Sequence, residues 1–330
     1  MPASSLLLLS CFFAALVCTD ARGGGGRAAR VSCRSELISF LDGLNITNKH
    51  TSVRQHTSLG IERLSDAARL WIDVIARGLP GDWIETGVWR GGTSLLAALI
   101  ARHAEEAKAC AHDEKMARNI WLADSFQGLP PATALDERKG RGGARARGFG
   151  GTARMDPAGS YAVSIEQVAA LFRSHNFLVP GAQAAADGGA TQELLSSGGR
   201  TRVRLLKGWF NETLPAAPIG SLAVLRLDGD LYTSTMDAIR PLYPKLAPSG
   251  FLIIDDYGHW IHCKRAIDDY FENEQGWMPA LMESDYTGRW MQKPLKAPTA
   301  APPPLSMSGT RVLSVRERDR TVAKLYGLKL

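Results

Sequence analysis

The chain contains the sequence Asp-Trp-Ile-Glu-Thr-Gly-Val-Trp-Arg-Gly-Gly at residues 82–92. Its first five residues include aromatic and β-branched side chains and predict a short buried strand. The glycines that follow predict a tight turn, and the pattern of Ser94–His103 predicts a helix. Gly87 leaves room for a ligand close to the backbone. Gly91 and Gly92 permit the turn and expose the amides at the start of the helix.

Apolar segments with a similar pattern recur along the chain and alternate with amphipathic segments. Strands are predicted at Asp82–Thr86, Asn119–Asp124, Arg202–Lys207, Leu222–Leu227 and Phe251–Ile254. Continuously apolar strands that alternate with helices predict an α/β fold, in which a mostly parallel sheet carries helices on both faces.

Acidic residues lie at or near the ends of these strands. In a parallel α/β sheet, ligands bind at the carboxyl ends of the strands. We therefore expect the acidic side chains at these ends to converge on one site, which would contain Glu85, Asp124, Asp228, Asp230, Asp255 and Asp256.

The first turn has the order Glu-x-Gly-x-x-x-Gly, which differs from the dinucleotide-binding order Gly-x-Gly-x-x-Gly. An acidic residue before the glycine suits a cofactor with a positive amino group, and S-adenosylmethionine has an amino group and a sulfonium. Asp124 could accept both hydroxyls of its ribose. The alternative is a glycine turn with a capping aspartate downstream. The predicted cofactor contacts in these two segments are Glu85, Thr86, Gly87, Gly91, Asp124 and Ser125.

Two acidic pairs predict a metal site. Asp228 and Asp230 project to the same side in extended geometry, and Asp255 and Asp256 end the next strand. Four neighbouring carboxylates repel one another unless a positive group lies between them. A hard divalent cation such as magnesium prefers oxygen ligands. We assign Asp228, Asp255 and Asp256 as metal ligands and Asp230 as the general base, with a ligand role for Asp230 as the alternative.

Five motifs in one order resemble the macrocin O-methyltransferase family. They are Glu85-Thr-Gly-Val-Trp-Arg-Gly-Gly, Ala123-Asp-Ser-Phe-Gln-Gly-Leu-Pro130, Lys207-Gly-Trp-Phe-Asn-Glu-Thr-Leu-Pro215, Leu225-Arg-Leu-Asp-Gly-Asp-Leu-Tyr232 and Ile254-Asp-Asp-Tyr-Gly258. The resemblance covers roughly residues 60–292.

The resemblance implies a class I methyltransferase fold with a Rossmann-like, seven-stranded sheet. It also implies S-adenosylmethionine, magnesium and a small-molecule hydroxyl acceptor such as a glycoside. It adds Gly208 and Trp209 on the adenine side of the cofactor. The alternatives are a metal-dependent glycosyltransferase, which could use the Asp-x-Asp motif, and a non-catalytic protein that binds S-adenosylmethionine.

The domain organisation follows from composition. Residues 1–35 are predicted to be a targeting segment and linker, and residues 36–292 a methyltransferase domain with loop insertions near 133–160 and 181–200. Residues 293–310 are rich in proline and alanine and are predicted to be disordered. Residues 311–330 are predicted to contain a closing strand at Thr321–Leu328.

Charge and the N-terminal segment bear on partners and location. The formal net charge is +6, and much of the excess lies in a glycine-rich stretch at 138–154, so no nucleic-acid surface is required. The apolar run Leu6–Val17 predicts a targeting signal for the secretory pathway or another organelle, with no stable membrane span after processing. The alternative is a buried N-terminal helix in a cytoplasmic protein. A homo-oligomer is compatible with the sequence.

Cysteine usage predicts little covalent structure. Cys33, Cys110 and Cys263 would remain after processing, and they are widely spaced and odd in number. We therefore expect no disulfide framework and no metal cluster from cysteine. Asn45-Ile-Thr47 and Asn211-Glu-Thr213 are glycosylation acceptors only if the chain enters a secretory lumen.

Overall fold

The computed structural model describes residues 24–113, 117–136, 156–178, 191–197, 199–296 and 312–313. The helices in this part of the chain are α1 (Gly24–Gly43), α2 (Ser52–Gln55), α3 (Ile61–Arg77), α4 (Gly92–Glu106), α5 (Ile165–Ser174), α6 (Phe210–Thr213), α7 (Tyr232–Leu242) and α8 (Ile261–Asp269). The strands are β1 (Asp82–Thr86), β2 (Asn119–Asp124), β3 (Phe177–Leu178), β4 (Thr191–Ser196), β5 (Arg202–Lys207), β6 (Leu222–Leu227), β7 (Leu246–Ile254), β8 (Leu281–Glu283), β9 (Arg289–Gln292) and β10 (Val312–Leu313). Short 3₁₀ segments follow α4 and α7, and a π-helical turn follows α8.

One mixed sheet contains all ten described strands in the order β10-β8-β9-β7-β6-β1-β2-β5-β4-β3. The five central strands, β7 to β5 in this order, pair in parallel. β9 joins β7 and β4 joins β5 in antiparallel pairs. The predicted α/β fold with a mostly parallel sheet is therefore confirmed, whereas the strand count of seven was wrong. β3, β8, β9 and β10 are each two to four residues long, too short to show a hydrophobic period.

The central strands have the predicted bounds, except for β7. This strand begins at Leu246 rather than at Phe251, because Leu246 already pairs with Leu222 of β6. The segment Pro248-Ser249-Gly250 forms an irregularity inside the strand, where the register shifts and Ser249 has φ 65°. β4 is a second correction, because it lies within the segment near 181–200 that was expected to be a loop insertion.

Helices cover both faces of the sheet. Trp83 and Ile84 are neighbours in β1, and both are buried. Trp83 packs with Trp71 of α3 in the core on one face, whereas Ile84 packs with Ile239 of α7 on the other. Because successive strand residues point to opposite faces, a strand buried on both sides is continuously apolar. This property explains why the central strands were recognisable.

The N-terminal part of the described chain is a packed helix. α1 begins at Gly24 and buries Cys33, Leu37 and Leu41 in the core. Its Arg34 pairs with the buried Asp73 of α3. The expectation that residues up to 35 form a linker is corrected for the described residues 24–35, since the glycine run starts a core helix. The predicted targeting run lies outside the described residues.

A disulfide bond joins Cys33 of α1 to Cys110 in the 3₁₀ segment after α4. The expectation of no disulfide was therefore wrong. The two cysteines are 77 residues apart, so their spacing gave no signal, and only the packing of α1 against the end of α4 brings them together. Cys263 is buried and free.

Several other expectations fall partly or wholly outside the described residues. Of the segment 133–160, the structure describes 133–136 and 156–160. The proline- and alanine-rich segment is described only up to residue 296, and the predicted strand Thr321–Leu328 is not described. None of the helices in the described ranges has the length and apolarity to cross a bilayer.

Reduction of the disulfide is expected to destabilise the protein. A bond that closes a loop of 77 residues restricts the unfolded chain, which corresponds to about 4.5 kcal/mol of the free energy of unfolding. Urea unfolding with and without reductant measures the difference. The double variant Cys33→Ser/Cys110→Ser is the control and should not respond to reductant. Identical unfolding midpoints of the oxidised and reduced wild type would contradict the expected role.

Candidate active site

A cavity of about 750 Å³ lies at the carboxyl ends of the central strands. Most of the predicted site residues line it, namely Gly87, Asp124, Ser125, Gly208, Trp209, Asp228, Asp230, Asp255 and Asp256. The other three, Glu85, Thr86 and Gly91, are not part of its wall. The strand ends therefore converge as expected, although not every predicted residue faces the cavity.

The glycine turn after β1 is held between its two neighbouring strands. Gly87 has φ 86°, and a Cβ on it would lie 1.7 Å from the backbone oxygen of Asp228. The Asp228 amide donates to the carbonyl of Thr86 (2.9 Å), and the Gly87 amide donates to the carbonyl of Ala123 (2.9 Å). The close approach of β6 by itself requires glycine here. Gly91, with φ 87°, is the N-cap of α4 and lies next to Val168 of α5, away from the cavity.

Asp124 ties the end of β2 to the glycine turn. Its Oδ2 accepts hydrogen bonds from the amides of Val88 (2.7 Å) and Trp89 (3.4 Å), and its Oδ1 accepts one from Phe126 (2.7 Å). Burial raises the pKa of this carboxyl, against the lowering effect of the three amides. Asp124 thus has the capping role that the sequence left as the alternative, and it also lines the cavity.

Glu85 lies inside the protein rather than on the cavity wall. Its carboxylate accepts hydrogen bonds from Ser94 Oγ and from Arg226 Nη1 (2.6 Å). Burial raises the pKa of Glu85 to about 7, although Arg226 acts in the opposite direction. The expected direct contact between this carboxylate and a cofactor therefore has no support in the geometry. Thr86 is also fully buried.

Arg226 is the residue that the sequence reasoning missed. Its guanidinium is completely buried in the middle of the carboxylates. Nη1 donates to Glu85 and to Asp228 Oδ2 (3.0 Å), and Nη2 donates to Asp255 Oδ1 (2.6 Å). The available signal was an arginine between Leu225 and Leu227 in an otherwise apolar strand, since such a charge requires buried partners.

A second guanidinium reaches the same carboxylates from α3. Arg63 Nη1 donates to Asp255 Oδ2, and Arg63 Nε donates to Asp285 Oδ2 (2.9 Å) in the loop between β8 and β9. Thr287 of this loop donates from its hydroxyl to the backbone oxygen of Asp255 (2.7 Å). Both oxygens of Asp255 are therefore bound by arginine, and the loop is fixed to the end of β7.

Asp228, Asp255 and Asp256 form a compact cluster. Each offers one carboxylate oxygen, and the three oxygens lie within 4.8 Å of one another. Asp256 Oδ2 is buried and has no hydrogen-bond partner in the described structure. Burial and the neighbouring carboxylates raise the pKa of Asp256 well above its usual value and that of Asp255 to about 6. The cluster thus favours a proton or a cation between its oxygens.

Asp230 lies beside this group but is not a member of it. It has φ 55°, a conformation that aspartate tolerates better than most residues. Burial and the charge of Asp228 raise its pKa to about 7. A carboxyl with this pKa can accept a proton near neutral pH.

Aromatic side chains that the sequence did not single out as a group also line the cavity. Tyr161 and Tyr286 are exposed, and His259 lies edge-on to the ring of Tyr286. Trp89 and Trp209 line the cavity as well. The wall thus combines acidic groups with flat apolar surfaces.

Comparisons with known proteins identify the family. The family model described as macrocin-O-methyltransferase (TylF) matches residues 45–183 and 194–293, which is most of the chain. The chain belongs to this family. Its match spans the glycine turn, the aspartate cluster and the strands between them.

Two named relatives come from species of Streptomyces. A Streptomyces olivaceus protein named 8-demethyl-8-(2,3-dimethoxy-alpha-L-rhamnosyl)-tetracenomycin-C 4'-O-methyltransferase is 38% identical over 234 residues, 71% of this chain and 74% of that protein. Demethyldecarbamoylnovobiocin O-methyltransferase from Streptomyces niveus is 39% identical over 218 residues, 65% of this chain and 67% of that protein.

A solved structure of the O-methyltransferase NovP is similar throughout its length. It is 32% identical, with a TM-score of 0.54, over 81% of this chain and 98% of the NovP chain. The predicted O-methyltransferase class and its fold are therefore confirmed. The glycosyltransferase alternative has no support among these relatives.

Removal of the buried guanidinium is expected to cost much of the protein's stability. Arg226→Leu leaves Glu85 and Asp255 buried without their shared partner, and such losses are about 3–5 kcal/mol. Arg240→Leu is the matched control, because the Arg240–Glu274 pair is largely exposed and should contribute less than about 1 kcal/mol. Urea unfolding of the variants measures both. Equal effects of the two substitutions would refute a special role for Arg226.

Proposed function

We propose that this O-methyltransferase requires a divalent cation such as magnesium and transfers a methyl group from S-adenosylmethionine to a sugar hydroxyl of a glycoside. The observation that carries the proposal is the cluster of Asp228, Asp255 and Asp256 in the wall of the cavity. The acceptor class rests on the names of the relatives, one of which includes a rhamnosyl group.

The aspartate cluster fits a hard divalent cation. All its donors are carboxylate oxygens, which magnesium prefers. The unpartnered Oδ2 of Asp256 is a buried acceptor that lacks a positive partner. Arg226 and Arg63 neutralise part of the negative charge by binding both oxygens of Asp255. The charge of Asp256 would be neutralised by a further cation. Asp228, Asp255 and Asp256 would hold this ion, which would supply Lewis acidity toward a bound hydroxyl.

The other side of the cavity fits S-adenosylmethionine. A volume of about 750 Å³ is within the usual range for a cofactor or ligand site. The wall there contains Gly87, Asp124 and Ser125 from the strand ends, and Gly208 and Trp209 after β5. Because Glu85 is enclosed by Arg226 and Ser94, we assign it to support of the turn rather than to the cofactor. The bound donor would supply an electrophilic methyl group on its sulfonium.

The chain's own residues would orient the acceptor and accept its proton. The aromatic wall around Tyr161 and Tyr286 offers flat faces to a sugar ring. Asp230 lines the cavity beside the proposed cation site and would take the hydroxyl proton on its carboxylate. Arg226 and Arg63 would keep Asp255 in place during this step, since both its oxygens are bound. Fixed positions of this kind lower the entropic part of the barrier.

Loss of one cluster aspartate should abolish turnover without abolishing the binding of S-adenosylmethionine. Asp228→Ala is expected to abolish methyl transfer and magnesium binding but to leave S-adenosylmethionine binding largely intact, because the cofactor contacts lie on β1, β2 and β5. Calorimetry with each ligand and a methyl-transfer assay on glycosides, with and without chelator, measure these effects. Glu272→Ala, which removes an exposed carboxylate, is the control and should behave as wild type.

An active Asp228→Ala variant would remove Asp228 from the proposed metal site. Wild-type protein that binds S-adenosylmethionine but transfers no methyl group to any acceptor, with or without magnesium, would favour the non-catalytic alternative.

The role of Asp230 can be tested in the same assays. Asp230→Asn keeps the size of the side chain but removes its basicity, so kcat is expected to fall by about 10²–10⁴-fold. Magnesium affinity should stay the same if Asp230 is a base. Loss of magnesium binding together with activity would instead make Asp230 a ligand. Asp42→Asn on the exposed side of α1 is the control.

A further inference from the structure

We propose that Asn45 carries an N-linked glycan and that the chain folds in an oxidising secretory lumen. This proposal is independent of the methyl-transfer reaction. It rests on the disulfide bond between Cys33 and Cys110 and on the structure of the Asn45-Ile46-Thr47 segment. It concerns a covalent modification on an exposed segment that does not line the cavity.

The disulfide points to the compartment. Disulfide bonds form and persist in oxidising compartments and are rare in reducing ones. The Cys33–Cys110 bond is enclosed in the core, with both residues almost completely buried, so it forms as the chain folds and not on the finished surface. The two thiols lose two electrons and two protons to a disulfide-containing oxidoreductase. Asparagine glycosylation occurs in the same lumen, so the two modifications are expected together.

The turn after α1 presents Asn45 as an acceptor. Asn45 and Thr47 are exposed, whereas Ile46 between them is buried and anchors the turn. Thr47 Oγ1 donates to Asn45 Oδ1 (2.9 Å), so the bond uses the amide oxygen and not the nitrogen that takes the sugar. Asn45 has φ 49°, which asparagine tolerates. A bulky, polar glycan on this side chain can extend into solvent without displacing core residues.

The second acceptor motif, at Asn211, differs from Asn45 in its surroundings and in the hydrogen bond made by its threonine. Asn211 lines the cavity, so a glycan on it would have to be accommodated at the cavity wall rather than on an open surface. Thr213 is the last residue of α6, and its hydroxyl donates to the backbone oxygen of Trp209 (3.0 Å). We therefore assign the glycan to Asn45 and not to Asn211.

The chemistry is a group transfer from a lipid-linked oligosaccharide diphosphate. The side-chain nitrogen of Asn45 forms a bond to the anomeric carbon of the first sugar, and the bond between that carbon and the diphosphate breaks. The lipid diphosphate leaves, and the amide nitrogen loses one proton. No oxidant or reductant takes part in this step.

The test uses the full chain with its own N-terminus, expressed in insect cells. Intact mass before and after peptide N-glycosidase F detects a glycan, and peptide mapping locates it, because the enzyme converts the released asparagine to aspartate. We expect one glycan, on Asn45. We also expect Cys33 and Cys110 to resist alkylation in denaturant until they are reduced.

Matched variants sharpen the assignment. Thr47→Ala should remove the glycan although Asn45 is unchanged, Thr47→Ser should keep it, and Thr213→Ala should have no effect on it. An unmodified Asn45, a glycan on Asn211 alone, or free thiols at Cys33 and Cys110 in the purified protein would each overturn the proposal. These readouts do not depend on methyl transfer, so failure here and failure of the proposed activity are distinguishable.

Discussion

The guanidinium of Arg226 is the interaction on which the cavity depends. It is fully buried and binds Glu85 of β1, Asp228 after β6 and Asp255 after β7. Three acidic groups at the ends of adjacent parallel strands would otherwise force those ends apart. Their desolvation is offset only by a partner with several donors in a fixed plane, and arginine is the side chain that supplies them. The carboxylates that face the cavity and those that support it thus belong to one network.

The network also separates two kinds of acidic residue that look alike in the sequence. Glu85 and Asp255 are saturated by arginine and serine donors, so they hold the strand ends in place. Asp256 has a buried oxygen without a partner, and Asp230 has a raised pKa beside it. The first pair fixes the geometry, and Asp255 also offers one oxygen to the proposed cation, as Asp228 and Asp256 do, whereas Asp230 is the proposed base. This division follows from where the two guanidinium groups lie.

The sequence was sufficient for the central sheet and for the position of the aspartates, because both follow from local patterns. Strands buried on both faces are continuously apolar, and parallel strands bring their carboxyl ends to one edge. The disulfide and the arginine contacts of the site could not be predicted because they involve partners distant in the chain, whereas the strand count failed because the outer strands are short. Arg63 and Asp255 are 192 residues apart, and Cys33 and Cys110 are 77 residues apart. No local sequence pattern could therefore predict either contact. The enclosure of Glu85 could not be foreseen for the same reason, because its partner Arg226 lies 141 residues away.

The contacts of Arg63 make the loop between β8 and β9 part of the electrostatics of the cavity. One guanidinium binds Asp285 in this loop and Asp255 at the sheet edge. If the loop swung outward, Arg63 would have to exchange partners or follow it, and the negative potential at Asp255 would change. Access for a bulky substrate and the field felt by its hydroxyl are therefore coupled through a single side chain. A change in the position of this loop would therefore alter both the opening of the cavity, which Tyr286 and Thr287 line, and the charge around Asp255.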